Sequence, residues 1–301
     1  MRKLLLPFLL FSLWSSAQNH VDLLKINYGE TFQNNFKNTS HKTAVNIFET
    51  QLLFPVPLNS SQTLISGIDF NKHNLQLFPT TPSTDLYSTT LQLGLASEWN
   101  DKWRSTLISL PKLAADYKNL SNKDFYLGIY ALLKYKKQEN FIYRFGFYAS
   151  QEAYGIFTTP VLGWYYQSPN KRFQMDMNLP IDGDINYKFK HFTLGIDYFG
   201  ISRSFRVHYK NNPTLYADLN SLDFSTYFQI NALQESVLLR AKFGYSTHNY
   251  KMYEEEEKIG LGFSAFNLND HRTPLNPKFQ GGFFIKAEAI YRFHIPQQKK
   301  N

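Results

Sequence analysis

The chain has 301 residues, 43% hydrophobic and only 19% charged, so it is not composed like a disordered chain, and a formal charge of +8 is too mild to demand a nucleic-acid partner. Aromatics reach 17%, with 27 Phe and 20 Tyr, and cysteine is absent. An exported chain of this composition has no disulfides, so backbone hydrogen bonding and packing must hold it together.

The N-terminus, "MRKLLLPFLLFSLWSSAQ", has the parts of a secretory signal peptide. Arg2 and Lys3 are its basic region, Leu4 to Trp14 its apolar run, and Ser15 and Ala17 its small residues, predicting cleavage before Gln18. The run is shorter than the roughly 20 residues of a membrane helix. Its removal takes Arg2 and Lys3 and lowers the formal charge from +8 to +6. Residues 1–17 are thus expected to be a signal peptide and 18–301 a single domain.

From there the chain alternates with period two. Strands are predicted near 22–32, 43–55, 62–78, 85–99, 102–117, 123–137, 140–152, 157–168, 172–180, 184–189, 192–209, 220–232, 237–250 and 281–293. "FIYRFGFYAS" sets Phe141, Tyr143, Phe145 and Phe147 against Arg144, Gly146 and Ser150, and "FQMDMNL" alternates Phe173, Met175, Met177 and Leu179 with Gln174, Asp176 and Asn178. "LDFSTYFQINA" places Leu222, Phe224, Phe228 and Ile230 opposite Asp223, Ser225, Gln229 and Asn231. "SVLLRAKFGYS" sets Val237, Leu239, Ala241, Phe243 and Tyr245 against Arg240, Lys242 and Ser246. The last ladder, "GGFFIKAEAIYRF", gives Phe283, Ile285, Ala287, Ala289, Tyr291 and Phe293 on one face, with Lys286, Glu288 and Arg292 on the other.

Short connectors such as "LNSSQ", "KKQEN", "QSPNK" and "LQES" alternate with longer polar ones such as "QNNFKNTSHK", "FPTTPST" and "YKNLSNK". Short turns at one end and long loops at the other fit an all-β, up-and-down antiparallel transmembrane β-barrel, whose outer face meets hydrocarbon and whose inner face meets water. The count is about fourteen strands, or twelve if the weak pair around Ile185 and Leu194 does not span. With both termini on the periplasmic side the number is even. "KIGLGFSAF", 258–266, is therefore expected as a short strand or flap inside one long extracellular loop, 251–280. A soluble sandwich or lipocalin-like barrel also alternates, but explains less well so aromatic an outward face. Tyr291 and Phe293 are expected in the periplasmic aromatic girdle. A last strand ending in an aromatic resembles the signal read by barrel-assembly machinery, although eight residues, "HIPQQKKN", follow Phe293.

Several stretches resemble an exported, barrel-like family known only as a domain of unknown function, number six-two-six-eight. They are "DLLKINYGETF", "NDKWRSTLISLPKLAADYKN", "LGIYALLKYKK", "VLGWYYQSPNKRFQMDMNLP", "DINYKF", "LGIDYFGISRSF" and "IYRF", spread over nearly the whole mature chain. The resemblance implies an outer-membrane barrel and no assigned activity.

Chemistry is sparse. The eight histidines have no HxH or HxxxH spacing, and no glycine loop is built to cradle phosphate. No catalytic, cofactor or metal residues are predicted. Ser246 and His248 in "STHN" share a strand face, as a hydrolase would need, but point to the lumen and lack an evident orienting carboxylate. "YEEEEK", 253–258, is an acidic run without calcium-loop spacing and reads as a solvated loop. The predicted lumen lining is Arg144, Asp176, Arg206, Asp223, Arg240, Lys242, Lys286, Glu288 and Arg292. Fourteen strands enclose space wide enough for solutes unless loops fill it. The expected role is non-catalytic passage of small hydrophilic, anionic or amphipathic solutes, with mild anion preference from the basic residues. A closed structural or adhesion barrel with ligand-binding loops is the second reading, and a lipid-modifying hydrolase the third. Expected partners are outer-membrane lipid and lipopolysaccharide, barrel-assembly machinery and a small solute, with no nucleic acid.

Overall fold

The computed structural model describes residues 20–208, 214–264, 266–278 and 280–294; the predicted signal peptide lies outside them. Fourteen strands form one ring: β1 (His20–Thr31), β2 (Asn46–Pro57), β3 (Gln62–Leu75), β4 (Thr84–Glu98), β5 (Trp103–Ser109), β6 (Gly128–Gln138), β7 (Phe141–Glu152), β8 (Gly155–Gln167), β9 (Phe173–Leu179), β10 (Asp182–Lys188), β11 (Phe192–Val207), β12 (Leu215–Ala232), β13 (Val237–Ser246) and β14 (Gly282–His294). Each pairs antiparallel with its neighbours, and β14 pairs with β1 to close the ring. The strands around Ile185 and Leu194 are full members, β10 and β11, so the number is fourteen and not twelve. Residues Leu261–Phe263 and Phe266–Leu268 form a short hairpin within the loop before β14, as the even strand number required.

The period of two places side chains as the membrane demands. On β14, Phe283, Ile285 and Tyr291 are about half exposed on the outer surface, whereas Phe284 and Ile290 of the other register are 1% and 2% exposed. Rings touch along the end that carries the termini and the short turns, the end expected from the sequence to face the periplasm: Trp103 with Tyr135, Phe141 with Tyr143 and Tyr166, and Phe189 with Tyr187 and Phe192. This is the aromatic girdle of one interface.

At the other end the pattern reverses phase. On β11 the outward residues Leu194 and Ile196 are apolar and the inward Asp197 is polar; further up, outward Ser202 and Ser204 are polar and inward Phe205 and Val207 are apolar. Along β12, outward Leu222 and Phe224 give way to Asp218 and Asn220, while inward Asp223 gives way to Leu219 and Ala217. On β3, inward Asp69 and Asn71 are followed by His73 and Leu75, and then by Leu77 just beyond the strand. At this end the outer register packs on polar partners of the protein and not on lipid, Ser204 against Glu152 and Asp218 against Arg272, and the apolar register fills the interior. The barrel's extracellular half is accordingly packed like a soluble protein, with Val45, Ile47, Leu75, Leu77, Leu86, Phe205, Val207, Leu219, Tyr250 and Met252 in one buried cluster.

This half is also narrowed by a shortcut in the wall. Lys112–Ala115 continues β5 and pairs with β4, then runs parallel to β11, with Ala115 opposite Arg206 and Asp116 N donating to Arg206 O at 2.9 Å. β5 and β11 stand six strands apart in a ring of fourteen, so this contact joins nearly opposite sides.

Candidate functional site

Below that constriction the inward registers line a polar cavity of about 920 Å³. Its rim includes His20, Lys171, Lys188, Glu235 and His294, all at the periplasmic end, and its deepest lining includes Asn71, Thr90, Arg203 and Asp223. Ten carboxylates and eight lysines and arginines line it, so the wall is close to electrical balance.

Of the predicted lumen residues, Asp176, Asp223, Arg240, Lys242, Lys286, Glu288 and Arg292 line this cavity. Arg144 is buried in the wall beside it, donating to Asp176 and, at 2.9 Å, to Asn178. Each predicted cation has an acidic partner. Arg240 lies 3.2 Å from Glu288 and 3.6 Å from Asp184, and its guanidinium covers the Tyr227 ring at 4.4 Å. Lys242 is 2.7 Å from Asp197, Lys286 is 2.7 Å from Asp223, and Arg292 is 2.6 Å from Asp22. Because these cations are neutralised where they stand, they do not present the net positive wall from which anion preference was expected.

Arg206 is placed differently from its prediction. It lies on the outer register of β11 above the cavity, 3.2 Å from Asp124 and 2.8 Å from Glu255. The physical reason is the phase reversal: beyond the membrane a charged residue no longer marks the inner face. Glu255 belongs to the acidic run "YEEEEK", and its hydrogen bond from Lys123, with Arg206 beside it, lowers its carboxyl from the usual range. Among the described residues no group of His, Asp and Glu is arranged to hold a metal ion.

The cavity ends against side chains that meet from opposite walls. His73 Nδ1 and the Tyr250 hydroxyl are 2.6 Å apart, and the His73 ring lies 5.6 Å from that of Phe205. The long loop fastens this closure from above. Asn276 donates to the carbonyls of Leu77 and Tyr250 and accepts from Met252 N, all within 3.0 Å. Arg272 packs on the outer register of β12, 3.1 Å from Asp218 and 3.0 Å from the Tyr216 hydroxyl, and stacks over Tyr253 at 4.1 Å. Its hydrogen bonds hold the loop carboxyl of Asp270 well below the ordinary carboxylate range. A carboxyl depressed in the folded state stabilises above its unfolded pKa and loses that contribution only as pH falls through the lower folded value, so this contact persists down to strong acid.

Ser246 and His248 lie just under the closure. Structure supplies the carboxylate that sequence did not: Ser246 Oγ donates to Asp223 Oδ1 at 2.5 Å, and His248 Nε2 is 3.8 Å from the same oxygen. The order is not that of a relay. The hydroxyl donates to the carboxylate and accepts from the His248 backbone at 3.2 Å, and both side chains are fully packed away. Asp223 also accepts from Ser221 and Lys286, which makes the cluster a charge-neutral polar layer between cavity and apolar plug.

The residues that sequence reading missed are His73, Phe205 and Tyr250, which form the closure. The signal that could have found them is the change of phase within single ladders, from Asp69 and Asn71 to Leu75 and Leu77, and from Asp197 to Phe205 and Val207.

No protein-family model matches the chain, and no curated protein matches it. Solved structures similar in fold include an outer membrane channel from Pseudomonas putida F1, at 10% identity and TM-score 0.43, covering 96% of this chain and 100% of that one. The P. putida toluene transporter TodX matches at 9% identity and TM-score 0.39, over 91% of this chain and 90% of that one. The NanC porin matches at 11% identity and TM-score 0.32, over 89% and 98%. At these identities and scores they carry no inference about what this barrel passes.

Proposed function

We propose that the chain is an outer-membrane channel for small hydrophilic solutes, exported by the signal peptide 1–17 and closed at its extracellular end in this conformation. The observation that carries this reading is the periplasm-facing polar cavity of about 920 Å³. A purely structural barrel of this width could fill its membrane-level interior as it fills its outer half. The near-balanced lining favours neutral or zwitterionic solutes over simple anions. The resemblance to the barrel-like family of unknown function fits the same reading, as does placement in the outer membrane among lipid and lipopolysaccharide.

The contacts across the top favour a second reading, a closed structural or adhesion barrel, and one experiment separates the two. Purified wild-type protein in a planar bilayer is expected to be electrically quiet, because His73, Phe205 and Tyr250 meet across the lumen. The triple variant His73→Ala/Phe205→Ala/Tyr250→Ala, shown to be folded by its heat-dependent electrophoretic shift, is expected to conduct steadily and to pass small neutral solutes into liposomes. A folded triple variant that remains silent would remove the channel reading and leave the structural one.

A further inference from the structure

The wall has a gap, and a hairpin of the last long loop fills it. The β9–β10 hairpin is short: β9 pairs with β8 only from Leu162 to Gln167, and β10 pairs with β11 only from Thr193 to Phe199. Above it, the upper part of β8 has lost its antiparallel neighbour. The hairpin Leu261–Phe263/Phe266–Leu268 takes that edge. Phe157 and Thr158 of β8 pair in parallel with Gly262 and Phe263, and Ile259 N and Ser264 N donate to Tyr154 O and Thr158 O at 2.9 and 3.0 Å.

Paired residues point to the same side of a sheet, so register decides which way the hairpin faces. Phe157 is inward, and Gly262 beside it is therefore inward; a Cβ on Gly262 would come within 3.0 Å of the Phe157 ring. Phe263 shares the outward side with Thr158. The pairs Leu261–Leu268 and Phe263–Phe266 put four apolar side chains on that face, with Phe266 69% exposed. They continue the outward apolar row of β8, in which Ile156 and Leu162 are exposed.

Height agrees with register. From Tyr166, in the periplasmic girdle, to Thr158 is eight residues of β8, about 26 Å along the strand at ~3.3 Å each. At a tilt of about 40° that is roughly 20 Å across a hydrocarbon band of about 25 Å. The outward register of β8 is still apolar at Ile156, whereas those of β3, β11 and β12 turn polar at their upper ends.

We propose that this hairpin is not a water-exposed part of the extracellular loop but a wall element whose outer face, Leu261, Phe263, Phe266 and Leu268, binds the acyl chains of the outer leaflet. The absence of cysteine makes the test clean. A nitroxide is attached to Phe266→Cys in the full mature protein, reconstituted in bilayers, and its collisions with oxygen, which concentrates in lipid, are compared with those with a water-soluble nickel chelate. Leu162→Cys serves as the lipid-facing reference and Glu256→Cys as the aqueous one. The oxygen-to-nickel ratio at position 266 is expected to match that at 162 and to exceed that at 256 several-fold. A ratio like that at 256 would overturn the proposal, and so would dipolar broadening at 266, which would assign the face to a second copy of the chain. Leu268→Cys repeats the measurement if the Phe266 variant does not fold.

Discussion

Glu152→Ala is expected to destabilise the extracellular half by about 3–5 kcal/mol, the usual cost of breaking a buried ion pair from one side. Glu152 lies at the end of β7 with its side chain fully buried, 2.5 Å from Lys112 Nζ, whose side chain is 7% exposed. The carboxylate also accepts from Ser204 N, Ser204 Oγ and Ser150 Oγ, each at 2.8 Å. It thus ties the tip of β7 to the upper part of β11 and to the segment that continues β5. Its removal leaves an ammonium and three neutral donors without their acceptor, away from water. Replacing both charges, in Glu152→Leu/Lys112→Met, is expected to recover only the part due to the stranded ammonium, because Ser204 N, Ser204 Oγ and Ser150 Oγ still lack their acceptor. The readout is the temperature at which the compact electrophoretic band disappears, together with protease resistance of the extracellular segments. An unchanged single variant would mean that this half is not packed.

Phe243→Arg is expected to cost about 2–4 kcal/mol in a bilayer, the penalty for a cation near mid-membrane on the lipid face. Phe243 is outward on β13, about half exposed, and stacks on Phe283 of β14 with centroids 5.7 Å apart. Its neighbour Lys242 points the other way, to Asp197 at 2.7 Å and Glu288 at 3.5 Å. Lys242→Gln is expected to leave folding efficiency nearly intact, because Arg240 still pairs with Glu288 at 3.2 Å and Ser225 still donates to Asp197. The measurement is the folded fraction of each variant against urea in lipid vesicles. Equal sensitivity at 242 and 243 would contradict the assigned inside and outside.

Much of the barrel was legible because one physical constraint repeats at every strand. An outward Phe224 or Ile285 beside an inward Asp223 or Lys286 can be read from period two alone, and parity correctly kept 258–266 out of the strand count. The closure was harder to read. A ladder such as "ISRSFRV" still alternates after the surroundings of its outer face change from lipid to polar protein groups, so a count of period two continues through a reversal of faces. Arg206 was misplaced for that reason. The ion pairs were illegible for another: Lys242 and Asp197 are 45 residues apart and meet across β12, and Arg292 and Asp22 are 270 apart and meet only at ring closure. Whether lumen charges are free or mutually satisfied depends on those pairings and not on composition. The Asp223 network with Ser246, His248 and Lys286 is likewise assembled from three strands and the bend after β13.

The central claim is a polar lumen that is open to the periplasm and closed to the outside, and sided chemistry tests it most directly. Thr90 lies on the inner face of β4 near the blind end of the cavity, and cysteine there would be the only thiol in the chain. Thr90→Cys is inserted into sealed liposomes in one orientation, verified by cleavage of a tag at the C-terminus. A small, charged, membrane-impermeant thiol reagent is then added to one side at a time. Rapid modification is expected from the side that carries the chain termini and none from the other, where Glu256→Cys should react instead. Modification of Thr90→Cys from both sides would mean a lumen open throughout, modification from neither side would mean no periplasmic cavity, and either result would contradict this account.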